Sequence, residues 1–321
     1  MLLAYTSIIV GFALLTWGAD RFVLGSSAIA RNMGISPLII GLTIVGFGTS
    51  FPEMLISGVA AWDGNSDLAI GNAIGSNITN IGLVLGFTAL IMPLEVQSDM
   101  LKREFPALFI IMGFAFLLMF DGVLGRMDGL LLIAGLVIML HWVVKLAMRT
   151  RQTDPLKAEF AAEIPYHMPM KIALLNFLGG LVVLFISSKI LVWGSVTIAK
   201  SFGISDLVIG LTVVAVGTSL PELAASVMSA IKKEHDIAVG NVIGSNMFNL
   251  LAVMGIPGII HPSAFEPLAL SRDFVWMFLF TVALIIMVNG FRRKGHINRL
   301  DGGILLTGYI AYLVYLYQTS I

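Results

Sequence analysis

The sequence predicts an all-α integral membrane protein of ten transmembrane helices, built as two inverted five-helix repeats. Three observations carry this prediction. Of the 321 residues, 58% are hydrophobic and 12% charged, and the mean hydropathy is +0.95. A soluble domain carries roughly 25% charged residues, so the main solvent of this chain is lipid. Apolar stretches long enough to cross a bilayer, about 20 residues each, recur along its whole length. The chain also repeats itself at a fixed offset.

The expected spans lie at roughly 2–20, 35–62, 68–92, 105–120, 125–147, 171–197, 204–231, 237–260, 273–291 and 302–318. The first, 1-MLLAYTSIIVGFALLTWG-18, has no positive leading segment and no small-x-small cleavage site, so it reads as a retained helix rather than a signal peptide. The second and seventh are interrupted midway by Gly, Ser, Thr and Pro. With the N-terminus outside, fifteen of the nineteen Lys and Arg fall on cytoplasmic connections or next to them; the other four are Arg126, Lys189, Lys200 and Arg272. That bias sets the orientation and puts both termini on the non-cytoplasmic side of the plasma (inner) membrane. The longest connection, 149–170, is polar and too short for a folded domain. It divides the chain into a first repeat at 1–148 and a second at 171–321. There is no cysteine, which excludes disulfides and thiolate metal sites. A net charge of zero and the lack of any long basic tract exclude a nucleic-acid partner. No obligatory protein partner is expected.

Shifted by 169 positions, 34-GISPLIIGLTIVGFGTSFPEMLIS-57 lies over 203-GISDLVIGLTVVAVGTSLPELAAS-226, and 69-AIGNAIGSNITNIGLVLG-86 over 238-AVGNVIGSNMFNLLAVMG-255. Two halves of five spans each must sit upside down relative to one another. Inverted repeats with helices interrupted at matching places are characteristic of secondary transporters, whose substrate site lies near the midplane where the broken elements meet.

The repeated segments carry the chemistry. Pro52 has no N–H and frees a helical carbonyl, which in lipid needs protein, water or an ion as partner. Thr49 and Glu53 are four apart and share a face, with Ser50 beside them; Ser76 and Asn80 are likewise four apart. The second half repeats the set as Thr218, Ser219, Glu222, Ser245 and Asn249. This is an all-oxygen constellation with two carboxylates, without His or Cys. It suits hard cations such as Ca²⁺, its hydroxyls and amides also suit Na⁺, and zinc or copper would need softer donors. A carboxylate at mid-membrane depth is functional by default. An empty site with two buried charges crosses the low-dielectric core poorly and a loaded one easily, which is the logic of obligatory exchange.

Other features take simpler readings. Gly71, Gly75, Gly240 and Gly244 form small-xxx-small patterns that let helices approach closely. Asn72, Asn77, Asn241 and Asn246 are expected to cap or cross-link the broken helices. Asp20 and Lys189 occupy equivalent repeat positions toward opposite membrane faces, so they are not expected to pair, and snorkelling accounts for both. The methionines and phenylalanines fill the core and face lipid. The four tyrosines of 309-YIAYLVYLYQ-318 are expected to form an interfacial belt.

The paired GTS-x-PE segments, each followed by GN-x-IGSN-x-x-N, resemble the α-repeats of the calcium:cation antiporter superfamily, most closely its prokaryotic sodium/calcium exchanger branch. The resemblance spans essentially the whole chain. It implies that Thr49, Ser50, Glu53, Ser76, Thr218, Ser219, Glu222 and Ser245 bind Ca²⁺ and Na⁺ in alternation. Backbone ligation is implied near Gly46 or Phe47 and near Ala215 or Val216, with the first and sixth spans sliding as a gate. Some relatives carry Asp at a position matching Asn80 or Asn249, whereas both are Asn here, which leaves two side-chain charges rather than three. The expected function is thus Ca²⁺/Na⁺ antiport without a cofactor and without enzymatic activity. Ca²⁺/H⁺ exchange at the same site is the alternative. An intramembrane acid–base enzyme or a passive scaffold fits a symmetric, His-free pair of glutamates less well.

Overall fold

The computed structural model describes residues 2–35, 37–64, 66–96, 98–150, 168–201, 215–289 and 295–319. Uninterrupted apolar sequence becomes long helix: α1 is Leu2–Met33. The first interrupted segment becomes two helices, α2 Leu38–Thr49 and α3 Phe51–Trp62, bent by 41° at Ser50. Then follow α4 Ser66–Ile91, β1 Leu94–Glu95, α5 Ser98–Met119, β2 Val123–Leu124 and α6 Arg126–Thr150. The second part comprises α7 Met170–Ser201, α8 Ala215–Thr218, α9 Leu220–Ile231, α10 His235–Ile260, β3 Ser263–Ala264, α11 Ala269–Asn289, β4 His296–Ile297 and α12 Arg299–Thr319. Among the described residues, seven helices are long and apolar enough to cross a membrane, and α2 with α3 forms an eighth span if the bent pair is one. The fold is that of an all-helical membrane protein. Part of the expected seventh span, and most of the connection expected at 149–170, lie outside the described residues.

The first helix corrects an expected boundary. The predicted span ends near residue 20, but α1 runs on through Asp20 and Arg21 to Met33. Asp20 does not mark a loop, because Lys232 pairs with it at 2.7 Å. Its charge is met within the protein rather than by snorkelling alone. At ~1.5 Å per residue, the 32 residues of α1 and of α7 each span about 48 Å, more than the ~30 Å hydrocarbon core, which is accommodated by tilt. The two run antiparallel in backbone contact. Small residues recur at every seventh position on both: Ala4, Gly11, Gly18 and Gly25 on α1, Ala173, Gly180, Ser187 and Gly194 on α7. A Cβ on Gly25 would meet Phe177 N and lie 2.7 Å from Ala173 O, so the crossing depends on the absence of side chains there.

Positions 169 apart adopt matching local structure. Ser50 (φ −81°, ψ 0°) and Ser219 (φ −89°, ψ 6°) break their helices in the same conformation, each two residues before a proline. π-helical turns begin at Asn80 within α4 and at Asn249 within α10. These two helices form the centre: 72% and 83% of their apolar windows are buried, against 22–33% for the other long helices. Two antiparallel ladders close the ends. β1 pairs with β4 (Leu94 with Ile297, Glu95 with His296), and β2 pairs with β3 (Val123 with Ala264, Leu124 with Ser263). Each ladder takes one strand from each half. Ser66 Oγ donates to His261 O near β3, while Ile91 leads into β1. The 26 residues of α4 therefore separate the ladders by about 39 Å.

Gly64 (φ 78°) and Lys233 (φ 61°) are also 169 apart, and each follows a helix C-terminus in left-handed conformation. A Cβ is disfavoured there. Lys233→Gly is expected to raise stability by up to about 1 kcal/mol, read as a higher melting temperature in detergent with Gly64→Ala shifted the opposite way.

Candidate functional site

The break at Ser50 turns the start of α3 toward the middle of the molecule, and the break at Ser219 does the same for α9. Helix α3 meets the bulged centre of α10, and α9 that of α4. Of the ten expected site residues, Thr49, Ser50, Glu53, Ser76, Asn80, Ser219, Glu222, Ser245 and Asn249 are buried, and Thr218 is half-buried. The two halves touch directly. Thr49 Oγ1 lies 3.0 Å from Asn241 Oδ1 and 3.3 Å from Ser245 Oγ, with Val45 O at 3.1 Å. Its single proton serves one of these acceptors at a time. Ser245 Oγ approaches Gly46 O at 3.4 Å, and Asn80 Nδ2 donates to Asn246 Oδ1 at 3.1 Å. Glu222 lies within reach of the Thr49 hydroxyl and of the charge of Glu53.

Two asparagines cross-link the broken helices in matching ways. Asn72 Nδ2 donates to Glu53 O (3.1 Å) and Ser57 Oγ (3.3 Å); Asn241 Nδ2 donates to Glu222 O (3.4 Å) and Ser226 Oγ (3.0 Å). Each holds the backbone of a site glutamate. Asn77 instead bonds within its own helix, to Ala73 O at 2.7 Å.

Six oxygens of this set have no hydrogen-bond partner among the described residues: Ser50 Oγ, Glu53 Oε2, Asn80 Oδ1, Ser219 Oγ, Glu222 Oε2 and Asn249 Oδ1. They form three pairs 169 residues apart. A buried polar atom left unsatisfied costs roughly 1–3 kcal/mol, more when charged, and native structures hold few of them. These six all belong to the repeated segments and include both glutamates, so they form a candidate cation site. Among the described residues no group of three His, Cys, Asp or Glu could hold a metal, so the donors on offer are hard oxygens carrying two charges.

The freed carbonyls differ from the implied ones. Pro52 and Pro221 remove the helical donors of Gly48 O and Gly217 O, and Gly217 O accepts from Ser188 Oγ at 2.7 Å. Gly46 O already accepts from Ser50 N at 3.0 Å and Val216 O from Ser219 N at 3.2 Å.

A cavity of about 370 Å³ leads to the site from the Ser66 end of α4. Ser76, Thr79 and Thr218 line its inner part, and Asp67, Glu266 and Asp273 its mouth. Tyr309 and Tyr312 line it too, correcting the reading of the last helix as an interfacial belt. Tyr309 Oη lies 3.2 Å from Thr79 Oγ1, and Tyr312 Oη donates to Asp273 Oδ1 at 3.1 Å; Tyr315 and Tyr317 are exposed as expected. Spacing held a partial signal. Tyr309 and Tyr312 are three apart and share a face, but nothing in an apolar helix said which face looks inward.

The sequence profile described as sodium/calcium exchanger protein matches residues 3–145 and 172–318. The chain belongs to the sodium/calcium exchanger family. Among exchanger-family relatives, it is 48% identical to a putative antiporter, CaxA, of Alkalimonas amylolytica, over 99% of this chain and 100% of that one. It is 33% identical to the sodium/calcium exchanger MaX1 of Methanosarcina acetivorans, over 97% of each. Its structure superposes on that of the sodium-calcium exchanger NCX_Mj with a TM-score of 0.82 at 31% identity, covering 98% of both chains.

Proposed function

We propose that this exchanger-family protein is a secondary active antiporter that moves Ca²⁺ against Na⁺ through a single midplane site. The observation that carries the reading is the set of six unpartnered buried oxygens, three from each half, with Glu53 and Glu222 among them. Thr49, Ser50, Glu53, Ser76 and Asn80, with Thr218, Ser219, Glu222, Ser245 and Asn249, surround the ion. Ten spans arranged as inverted repeats, 1–148 and 171–321 about a cytoplasmic connection at 149–170, let the same site open to either face. Both termini lie on the non-cytoplasmic side of the inner membrane.

The geometry suits exchange rather than leak. Two carboxylates at 1% exposure are costly to hold in a low-dielectric core without a counter-ion. The empty carrier reorients slowly, and the Ca²⁺- or Na⁺-loaded carrier readily. The names of CaxA, MaX1 and NCX_Mj support an antiporter handling these ions. Protons are the alternative counter-ion, because the same two buried carboxyls could be neutralised by H⁺ in place of Na⁺.

Reconstituted liposomes separate the two. Uptake of ⁴⁵Ca²⁺ is expected to require internal Na⁺ and to collapse when the Na⁺ gradient is removed. Uptake driven by an imposed pH gradient alone would replace Na⁺ with H⁺ in the proposal, and Ca²⁺ uniport would refute exchange altogether.

A further inference from the structure

Asp20 and Lys189 stand out in the repeat because equivalent positions carry opposite charges. The structure places Asp20 of α1 2.7 Å from Lys232, at the C-terminal end of α9. The residue 169 before Lys232 is Asp63, at the C-terminal end of α3. The two C-caps match: φ −79°, ψ 3° at Asp63 and φ −79°, ψ 4° at Lys232. The repeat operation thus maps an Asp20–Lys232 pair onto a Lys189–Asp63 pair, with acid and base exchanged between the partners.

Only one of the two pairs is made here. Asp63 and Lys189 are exposed, and among the described residues no ion pair joins them. The packing shows the same asymmetry. Helix α1 packs along α9, whereas α7 makes no comparable contact with α3. The 370 Å³ cavity is lined at the Ser66 end of α4 by Asp67 and Leu68, a few residues after Asp63 in the chain. Gly71 on α4 is exposed to it, while its counterpart Gly240 on α10 is buried. The Asp20–Lys232 pair lies at the other end, where α10 begins next to β1 and where Gly240 of α10 packs against the backbone of α2, its ideal Cβ 2.8 Å from Leu38 O.

We propose that these are two alternating latches. Asp20–Lys232 holds the end closed in this structure, and Lys189–Asp63 forms when the carrier closes its other end. The inference rests on the antiport reading and adds four residues to it that touch no ion. Helices α1 and α7, packed through small residues at seven-residue intervals, carry one member of each latch. Movement of that pair against α3 and α9 breaks one bridge as it makes the other. Both pairs are semi-exposed in at least one state, which keeps either latch weak enough to release. Local competition helps: Arg21 lies 3.8 Å from Asp20, and Glu234 lies near Lys232 and Arg31.

The cysteine-free chain allows a direct test. One variant carries Asp20→Cys with Lys232→Cys, and the other Asp63→Cys with Lys189→Cys, each in liposomes under mild oxidation. Both are expected to cross-link, to stop ⁴⁵Ca²⁺ exchange and to regain it on reduction. The first, once cross-linked, should still bind ⁴⁵Ca²⁺ from the Asp63 side, and the second should lose that binding. Single charge removals report without cross-linking. Asp20→Asn should weaken apparent Ca²⁺ affinity from that side by about two- to five-fold, and Asp63→Asn should move it the opposite way. Asp20→Lys combined with Lys232→Asp should restore the original value. A second variant that exchanges Ca²⁺ but never cross-links overturns the latch, as do two single variants that shift in the same direction. A wild type without Ca²⁺ exchange instead overturns the antiport reading, and the latch with it.

Discussion

Glu222→Gln is expected to abolish Ca²⁺ exchange while leaving a folded protein that is no less stable without Ca²⁺ than the wild type. The change is isosteric and removes one of two buried charges. Glu222 Oε2 has no hydrogen-bond partner, and Glu53, its nearest charged neighbour, has the same sign. In the empty protein the carboxylate is therefore a liability, and replacing it relieves the cost of a buried uncompensated charge. In the proposed Ca²⁺-loaded protein the same group would supply half of the side-chain charge that holds the cation. Losing one member of a buried ion pair costs about 3–5 kcal/mol, or roughly two to four orders of magnitude in affinity. Glu53→Gln should behave alike, since its carboxylate has the same orphaned oxygen. Two measurements decide it: ⁴⁵Ca²⁺ binding, and melting temperature with and without Ca²⁺. The wild type should be stabilised by Ca²⁺ through mass action and the variants should not. Variants that bind Ca²⁺ normally would remove the glutamates from the site, and variants that melt earlier without Ca²⁺ would make them structural.

The second large effect concerns two glycines that look identical in sequence and differ in space. A Cβ on Gly244 would meet Leu42 O and lie 2.8 Å from Leu42 C, both backbone atoms of α2 that cannot swing aside. Gly46, one turn further along α2, also packs closely against α10, less tightly, with Ser245 N 3.0 Å from its ideal Cβ. Gly244→Ala therefore pushes α2 away and carries Thr49 off Asn241 and Ser245. Overpacking of this kind costs about 1–3 kcal/mol, and Ca²⁺ binding should weaken with it. Gly75 is its counterpart in the first half, and a Cβ there meets nothing within 4 Å. Gly75→Ala should leave Ca²⁺ binding from the open cavity intact. Exchange should nevertheless stop, because the proposed alternating access puts Gly75, in the opposite state, in the place that Gly244 has here. Equilibrium binding beside flux separates the two glycines. If Gly75→Ala exchanges at the wild-type rate, the second state is not the mirror image of the first.

The contrast between these glycines also shows how far sequence reading reaches. It treats them as one motif, GN-x-IGSN, and reads close helix packing for both, which holds in this structure for Gly244. Under the proposed alternating access, the asymmetry comes from the conformational state, because two inverted halves would not both be closed at once. The first span shows a different limit. Charge at Asp20 and Arg21 predicts the end of a membrane span, because in lipid an unpaired charge belongs at the interface. Its partner Lys232 lies more than two hundred residues away, and no local pattern announces it. The tail tyrosines failed for a third reason. A helix that is apolar all round carries no amphipathic stripe, so the inward face of Tyr309 and Tyr312 is set only by the neighbours α12 packs against.

What sequence decided is what repeats. Membrane residence follows from composition, because so few charged residues cannot cover a water-facing surface. The two-part construction, the breaks at Ser50 and Ser219 and the oxygen-only donor set follow from short segments that occur twice. Their local geometry depends on proline, glycine and i, i+4 spacing, all contained within a few turns. Tertiary structure decided everything that depends on distant partners. Among the described residues, it determined which six oxygens are left without donors, that Asp20 meets Lys232 while no ion pair joins Asp63 and Lys189, and which end of α4 borders the cavity. These depend on how rigid helices slide and rotate against one another, and helices that are apolar on every side can do so without changing a single local preference.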